Sequence, residues 1–213
     1  MQSFLHKTVI LADGDYPSAD RAQQALATAR HVVCCDRAAV RYVRRTGRVP
    51  DAIVGDLDSL PAAFRKRHAA IAVHVAEQDD NDLAKAFRFC IGRGWRDIVI
   101  LGATGKREDH TLGNISWLAD FAAEAPEVAM LTNHGIFTVL QAPGGTIATE
   151  PGMQISFFGF DRNQRITATG VVFPVRDLPL RRWNTATLNE ATGRRVTLSF
   201  SGEPVIVFRN AAK

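Results

Sequence analysis

A chain of 213 residues with 46% hydrophobic and 23% charged side chains is longer than one typical domain and shorter than two. Those proportions exclude wholesale disorder, collagen and a disulfide-stapled miniprotein. The formal charge of +4 rests mostly on arginine, 21 residues against five lysines, which suits planar contacts to an acidic or phosphorylated ligand without separating nucleotide from nucleic acid.

In chain order, short apolar runs alternate with longer stretches of helical periodicity up to about Thr132. The runs Thr8–Ala12, His31–Cys35, Asp51–Val54, Ile71–Val75, Asp97–Leu101 and Val128–Thr132 read as strands. Between them Ser18–Arg30, Ala38–Arg45, Pro61–His68, Asp80–Arg93 and His110–Ala123 read as amphipathic helices. That alternation predicts an α/β fold, a parallel sheet flanked by helices on both faces in the Rossmann-like manner. After His134 the helices stop. Gly135–Gln141, Gly145–Thr149, Met153–Phe160, Ile166–Phe173, Arg195–Ser201 and Pro204–Arg209 look like strands punctuated by Gly, Pro, Asn and Asp. A small all-β sandwich domain is expected there, shaping or binding rather than performing chemistry, with a boundary near residue 133. Thr8–Ala12 is too short for a signal-peptide core, and no apolar run approaches the roughly 18 residues of a membrane span. Cys34, Cys35 and Cys90 show no paired ligand spacing, so buried thiols in a soluble, cytoplasmic protein are expected.

In a parallel sheet the ligand sits beyond the carboxyl ends of the strands. Reading those ends gives Asp36 after the second strand, Asp56 and Asp58 after the third, Glu77–Asp82 after the fourth and Gly102–His110 after the fifth. Acidic residues crowd one edge of a basic chain, an arrangement that costs energy unless a cation neutralises it. Oxygen ligands without thiolates suit a hard cation, Mg²⁺ first. In an extended segment Asp56 and Asp58 point the same way and can meet one ion. The competing reading makes Asp58–Pro61 a helix entry capped by Ser59. Asp79 or Asp80 has a similar second reading as the cap of the following helix. Gly102–Arg107 lacks the Walker A spacing, yet its glycines, its cations and the helix that starts at Asp109 make a fair anion site.

These segments together resemble the thiamine pyrophosphokinase (thiamine diphosphokinase) family. The matching stretches are Cys35–Arg37, Pro50–Ser59, Gln78–Ala86 and Leu101–Ile115, the last being the most specific, and their order and spacing agree. The resemblance spans nearly the whole chain and is weaker after residue 150. It implies pyrophosphoryl transfer from ATP to the thiamine hydroxyl, giving thiamine diphosphate and AMP. It also implies a catalytic ATP- and Mg²⁺-binding domain over 1–133 and a thiamine-binding β domain over 134–213. Carried over residue by residue, Asp36, Asp56, Asp58 and Asp82 would hold Mg²⁺ on the triphosphate. Gln78 and Asn81 would contact phosphates or the thiamine side, Thr104 and Arg107 the nucleotide, and Asp109 would sit beside the attacking hydroxyl and accept its proton. Phe173 would stack on thiamine, with Asn189 in the adjoining turn, in a site built across a homodimer. This chain departs from the usual pattern at Arg37 and Lys106, where the family has glycine, and at Leu188, where it has serine. A nucleotide-binding relative with another acceptor is therefore an alternative. The rival from another class is a basic nucleic-acid-binding module. Arg41, Arg44, Arg45 and Arg48 fall on one helix face, but no nucleic-acid motif accompanies them.

Overall fold

The computed structural model describes residues 3–77 and 79–210. The chain forms a mixed α/β fold divided into two compact units, Phe4–Asn133 and the residues from His134 onward. Among the described residues no helix is long and apolar enough to cross a membrane.

The first unit carries six strands: β1 (Thr8–Leu11), β2 (His31–Cys35), β3 (Ala52–Gly55), β4 (Ala72–His74), β5 (Ile98–Leu101) and β6 (Ala129–Leu131). All pairings among them are parallel, in the order β6-β5-β1-β2-β3-β4. β1, β3 and β5 are buried at every position, as expected of near-continuous Val/Ile/Leu runs covered on both sides. Each fully buried Ile, Leu or Val there contributes roughly 1.5–3 kcal/mol relative to exposure. Among the described residues five α-helices connect the strands: α1 (Asp20–Ala27), α2 (Ala38–Thr46), α3 (Ala62–Arg67), α4 (Asp82–Gly92) and α5 (Glu108–Glu124).

Local chemistry sets the helix ends. α2 stops at Gly47, whose φ of 67° supplies the left-handed turn that an added Cβ would oppose. The cap of α4 is Asn81, whose side-chain oxygen accepts the Ala84 amide at 3.0 Å, and not Asp79 or Asp80. Ser59 does not cap α3, which begins after Pro61; its hydroxyl donates to Asp36 instead.

Among its described residues the second unit holds eight strands where the sequence pattern predicts six: β7 (Gly135–Leu140), β8 (Gly144–Ala148), β9 (Gln154–Phe158), β10 (Arg165–Thr169), β11 (Val175–Pro179), β12 (Ala186–Glu190), β13 (Arg195–Phe200) and β14 (Val205–Asn210). Within it the orders are β12-β9-β14-β7 and β11-β10-β13-β8, all antiparallel. Inward side chains of both groups, among them Ile155, Phe157, Val196, Leu198 and Val207, share one core. The two strands missing from the sequence reading are edge strands. β11 ends in proline and lacks clean alternation, and β12 slips register between Ala186 and Asn189, where Leu188 has a φ of 57°. The predicted strand Ile166–Phe173 ends at Thr169 because Gly170, at φ 80°, turns the chain.

All three cysteines are free and buried. Burial pushes the thiols of Cys34 and Cys35 far up, and that of Cys90 to about 12.

Candidate active site

The strand order reverses at β1, since β2, β3 and β4 follow on one side while β5 and β6 lie on the other. A crevice opens beyond the carboxyl ends at such a point. There the loops after β1 and β5 are joined by backbone bonds from Gly14 N to Gly102 O, 2.6 Å, and Asp15 N to Thr104 O, 2.8 Å. A Cβ on Gly14 would run into the carbonyls of Gly102 and Thr104, so only glycine permits this approach. The resulting cleft has a volume of about 430 Å³ and draws on the ends of β1, β2, β3 and β5 and the start of α4.

Asp36, Asp56 and Asp82 meet on its acidic side. Asp36 follows β2 with φ 41°, is 7% exposed, and accepts the Ser59 hydroxyl on one oxygen. Its other oxygen is buried and has no hydrogen-bond partner. Burial first, then the charges of Asp82 and Asp56, raise its pKa above the usual carboxylate range, against the Ser59 bond. Asp82 is raised likewise, by burial first, against its attraction to Lys85. Gly55 keeps this corner open, because a side chain there would press on Asp36 and Asp82.

Asp58 stands apart. The chain is not extended between the two carboxylates: Leu57 is buried with φ 63°, which turns Asp58 out to solvent and off the lining. Its amide donates to Asp56 Oδ1 at 3.1 Å. Among the described residues no group of three or more His, Cys, Asp or Glu side chains is placed to hold a metal ion.

Asn81 lines the cleft, but much of its amide is engaged. Besides capping α4, it donates to Asn114 Oδ1 at 3.0 Å, and Asn114 in turn donates to Ala103 O at 2.8 Å. Arg107 lines the cleft and is exposed, chelating Asp109 through Nε and a terminal nitrogen. That bond chiefly, helped by the His110 amide, holds the Asp109 carboxyl down at about 2. A carboxylate so held is a weak base at neutral pH, so proton acceptance at Asp109 needs the pair to open. Thr104 is off the lining and contributes its carbonyl to the loop junction. Gln78 lies outside the described residues.

Three lining residues were missed by the sequence reading. Asp13 bonds Lys106 at 3.0 Å and pairs with Arg41 at 2.8 Å; Asn114 has the role just given; Lys85 is buried against Asp82. The strand-end rule applied to the first strand would have found Asp13, while Asn114 and Lys85 sit inside helices with no sequence sign of where they face. The arginine face of α2 is largely spoken for. Arg41 also donates to Gly14 O, Arg45 packs over the Tyr16 ring at 4.6 Å, and Arg48 donates to Ala27 O. Arg48 lies beyond the end of α2 at Thr46, so the four arginines do not form one row along a helix face.

In the second unit Phe173 follows β10 and is 63% exposed, with Val172 at 48% and Leu188 at 68% beside it in the exposed apolar set. Asn189 is buried and does not point a free amide at solvent. Its oxygen accepts the Phe173 amide at 3.0 Å and its nitrogen donates to the Phe173 carbonyl at 2.8 Å.

The geometry is that of an α/β protein whose ligand cleft lies at the carboxyl ends of a parallel sheet. Residues 22–130 match the family model of the thiamin pyrophosphokinase catalytic domain, and residues 135–208 that of the thiamin pyrophosphokinase substrate-binding domain. The chain belongs to the thiamin pyrophosphokinase family of enzymes. It is 25% identical to thiamin pyrophosphokinase 1 of Caenorhabditis elegans over 195 residues, 85% of this chain and 80% of that one. It is 29% identical to thiamine pyrophosphokinase of Bacillus subtilis over 171 residues, 77% of this chain and 80% of that one. The crystal structure of thiamine pyrophosphokinase from Bacillus subtilis superposes with a TM-score of 0.76 at 25% identity, over 97% of this chain and 100% of that chain. The thiamin pyrophosphokinase from Candida albicans, at 16% identity, shares the fold with a TM-score of 0.77 over 98% of this chain and 90% of that one.

Proposed function

We propose that the protein transfers a pyrophosphoryl group from ATP to the hydroxyl of thiamine, releasing AMP and thiamine diphosphate. What carries this reading is that both halves of the chain match, in order, the catalytic and substrate-binding models of one enzyme family. In this reading residues 1–133 form a Rossmann-like catalytic domain binding ATP and Mg²⁺, and residues 134–213 a sandwich that binds thiamine.

The residues fit a magnesium ion. The unpartnered buried oxygen of Asp36, and the mutual repulsion that raises Asp36 and Asp82, both ask for a cation. Mg²⁺ is commonly held by one or two carboxylates plus substrate phosphates, so a three-sided protein cage is not required. One or two of Asp36, Asp56 and Asp82 would hold it at a time, with Asp58 at the rim orienting Asp56 through its amide. When bound, the ion neutralises triphosphate charge. In this reading Asn81, Arg107 and Gln78 contact phosphate oxygens, and Thr104 acts through the loop that its carbonyl anchors. Asp109, freed from Arg107, orients the hydroxyl. Phe173 stacks on the thiamine ring from a mount fixed by Asn189. The exposed apolar set around Phe173 supports covering by a second copy, hence a homodimer in the cytoplasm.

The test is AMP formation from ATP and Mg²⁺, with and without thiamine. Equal yields of AMP and thiamine diphosphate, absent without thiamine, are expected. AMP formed only when a different hydroxyl compound is supplied would overturn the acceptor, and no AMP with any acceptor would overturn the reaction.

A further inference from the structure

Lys85 sits on α4 one turn beyond Asp82, lines the cleft and is 4% exposed. A lysine is almost never fully buried unless paired, and its ammonium has three N–H groups to satisfy. Among the described residues the partner of this ammonium is Asp82 Oδ1 at 3.4 Å, the long end of hydrogen bonding. The other cations on the lining differ in kind. Arg37, Lys106 and Arg107 are exposed, Lys106 is bound to Asp13, and Arg107 to Asp109. Neutralising Asp82 explains one N–H. It leaves the others out of water at an uncompensated cost, unless a ligand oxygen takes them. The first turn of α4 adds to the site, since its cap serves the Ala84 amide and the preceding amides lie at the helix's positive end.

We infer that Lys85 is a catalytic residue, its ammonium donating to oxygens of the phosphate chain bound beside Asp82. The inference rests on the pyrophosphoryl-transfer reading and deepens it. In that transfer the bridging P–O bond between the α- and β-phosphates breaks with its electron pair going to AMP. The β-phosphorus bonds to the acceptor oxygen, whose proton passes to solvent. Lys85 exchanges no proton; it holds fixed positive charge against the transferred oxygens throughout.

Lys85→Met keeps the length of the side chain and removes the charge. Its kcat should fall about 100-fold, the scale of one lost transition-state donor, with the thiamine KM little changed. The readout that a structural role would not move is binding of inorganic triphosphate without Mg²⁺, followed by calorimetry. Affinity should drop at least about tenfold, the scale of one charge-assisted hydrogen bond, and Lys85→Arg should recover part of it. If Lys85 serves Asp82 alone, triphosphate affinity will be unchanged and only the Mg²⁺ requirement will move, which overturns the inference. Should Lys85→Met fail to fold, the wild-type protein still decides. With five lysines in the chain, the labelled Lys85 side-chain carbon resonance, identified with Lys85→Arg, should shift on adding triphosphate while that of Lys66 does not. No shift, or no triphosphate binding, overturns it. Triphosphate binding that depends on Lys85 in a protein that forms no AMP would instead sink the transfer reading and leave the contact standing.

Discussion

The two units present their candidate groups in opposite ways. In the α/β unit most charged side chains of interest are already held by another side chain, Asp36 by Ser59, Asp82 by Lys85, Asp13 by Lys106 and Asp109 by Arg107, while Asp56 takes only the Asp58 amide. In the all-β unit the phenyl ring of Phe173 projects outward and only its backbone is held, by Asn189. The difference follows from desolvation. Charge withdrawn from water needs fixed partners, whereas exposing one apolar ring costs only a few kcal/mol of unburied area. A charged site must be assembled before its ligand arrives; an apolar one can wait for it.

The largest effect expected from this contrast is at the acidic corner. Asp56→Asn should lower AMP release by at least about 100-fold, in keeping with the loss of an electrostatic group at a phosphoryl-transfer centre. Asp36→Asn should lower turnover too, and the ligand-free variant should melt higher than the parent at pH 7. The sign follows from the raised pKa. The folded state favours the protonated carboxyl, so stability is lost as pH rises from the ordinary aspartate range through the raised value. The melting gain from Asp36→Asn should therefore shrink as pH falls toward 4. Asparagine also tolerates the left-handed backbone at this position. A variant that melts lower at pH 7 would mean the oxygen is not under-neutralised.

A smaller effect is expected in the all-β unit. Phe173→Ala should raise the thiamine KM at least about threefold with the ATP KM unmoved, the lower end of what a stacked aromatic contributes. The melting temperature should hold, since the ring is exposed. Asn189→Ala should move the same constant, and the double variant should add little to either single one, because both act through the placement of one ring. Additive effects would separate Asn189 from Phe173 and return the amide to direct contact with thiamine.

The smallest effect concerns the exposed pair at α5. Asp109 should titrate near 2 by side-chain NMR, and Arg107→Ala should return it toward the ordinary range with no measurable change in melting. An unmoved midpoint would give the depression to the His110 amide.

Why some of this was readable in the sequence follows from period. β1, β3 and β5 are near-continuous runs of Val, Ile and Leu, and such runs signal buried strands whatever packs on them, while the short β4 at the sheet edge is only partly buried. β11 and β12 were not readable because edge strands need neither alternation nor freedom from proline, and Leu188 breaks the register within β12. In the cleft, Asp36, Asp56 and Asp82 could be found from their places at strand ends. Asp58 could not be placed correctly, since the two-residue rule assumes an extended chain and Leu57 turns it. The inward aim of Lys85 and Asn114 is a property of helix phase and packing, on which α5 in particular gives weak guidance. Asn189 showed its residue type but not that both ends of its amide were taken.

The buried thiols have a use in this setting. Cys34 and Cys35 close β2, the strand that delivers Asp36, and Cys90 lies on α4 with Asp82 and Lys85. With their pKa values pushed up by burial, they react with alkylating reagents only when the fold around the cleft opens. The native chain thus carries its own reporters of local opening, on β2 and on α4. Their labelling rates, read with and without a nucleotide, measure how far a ligand locks the catalytic floor.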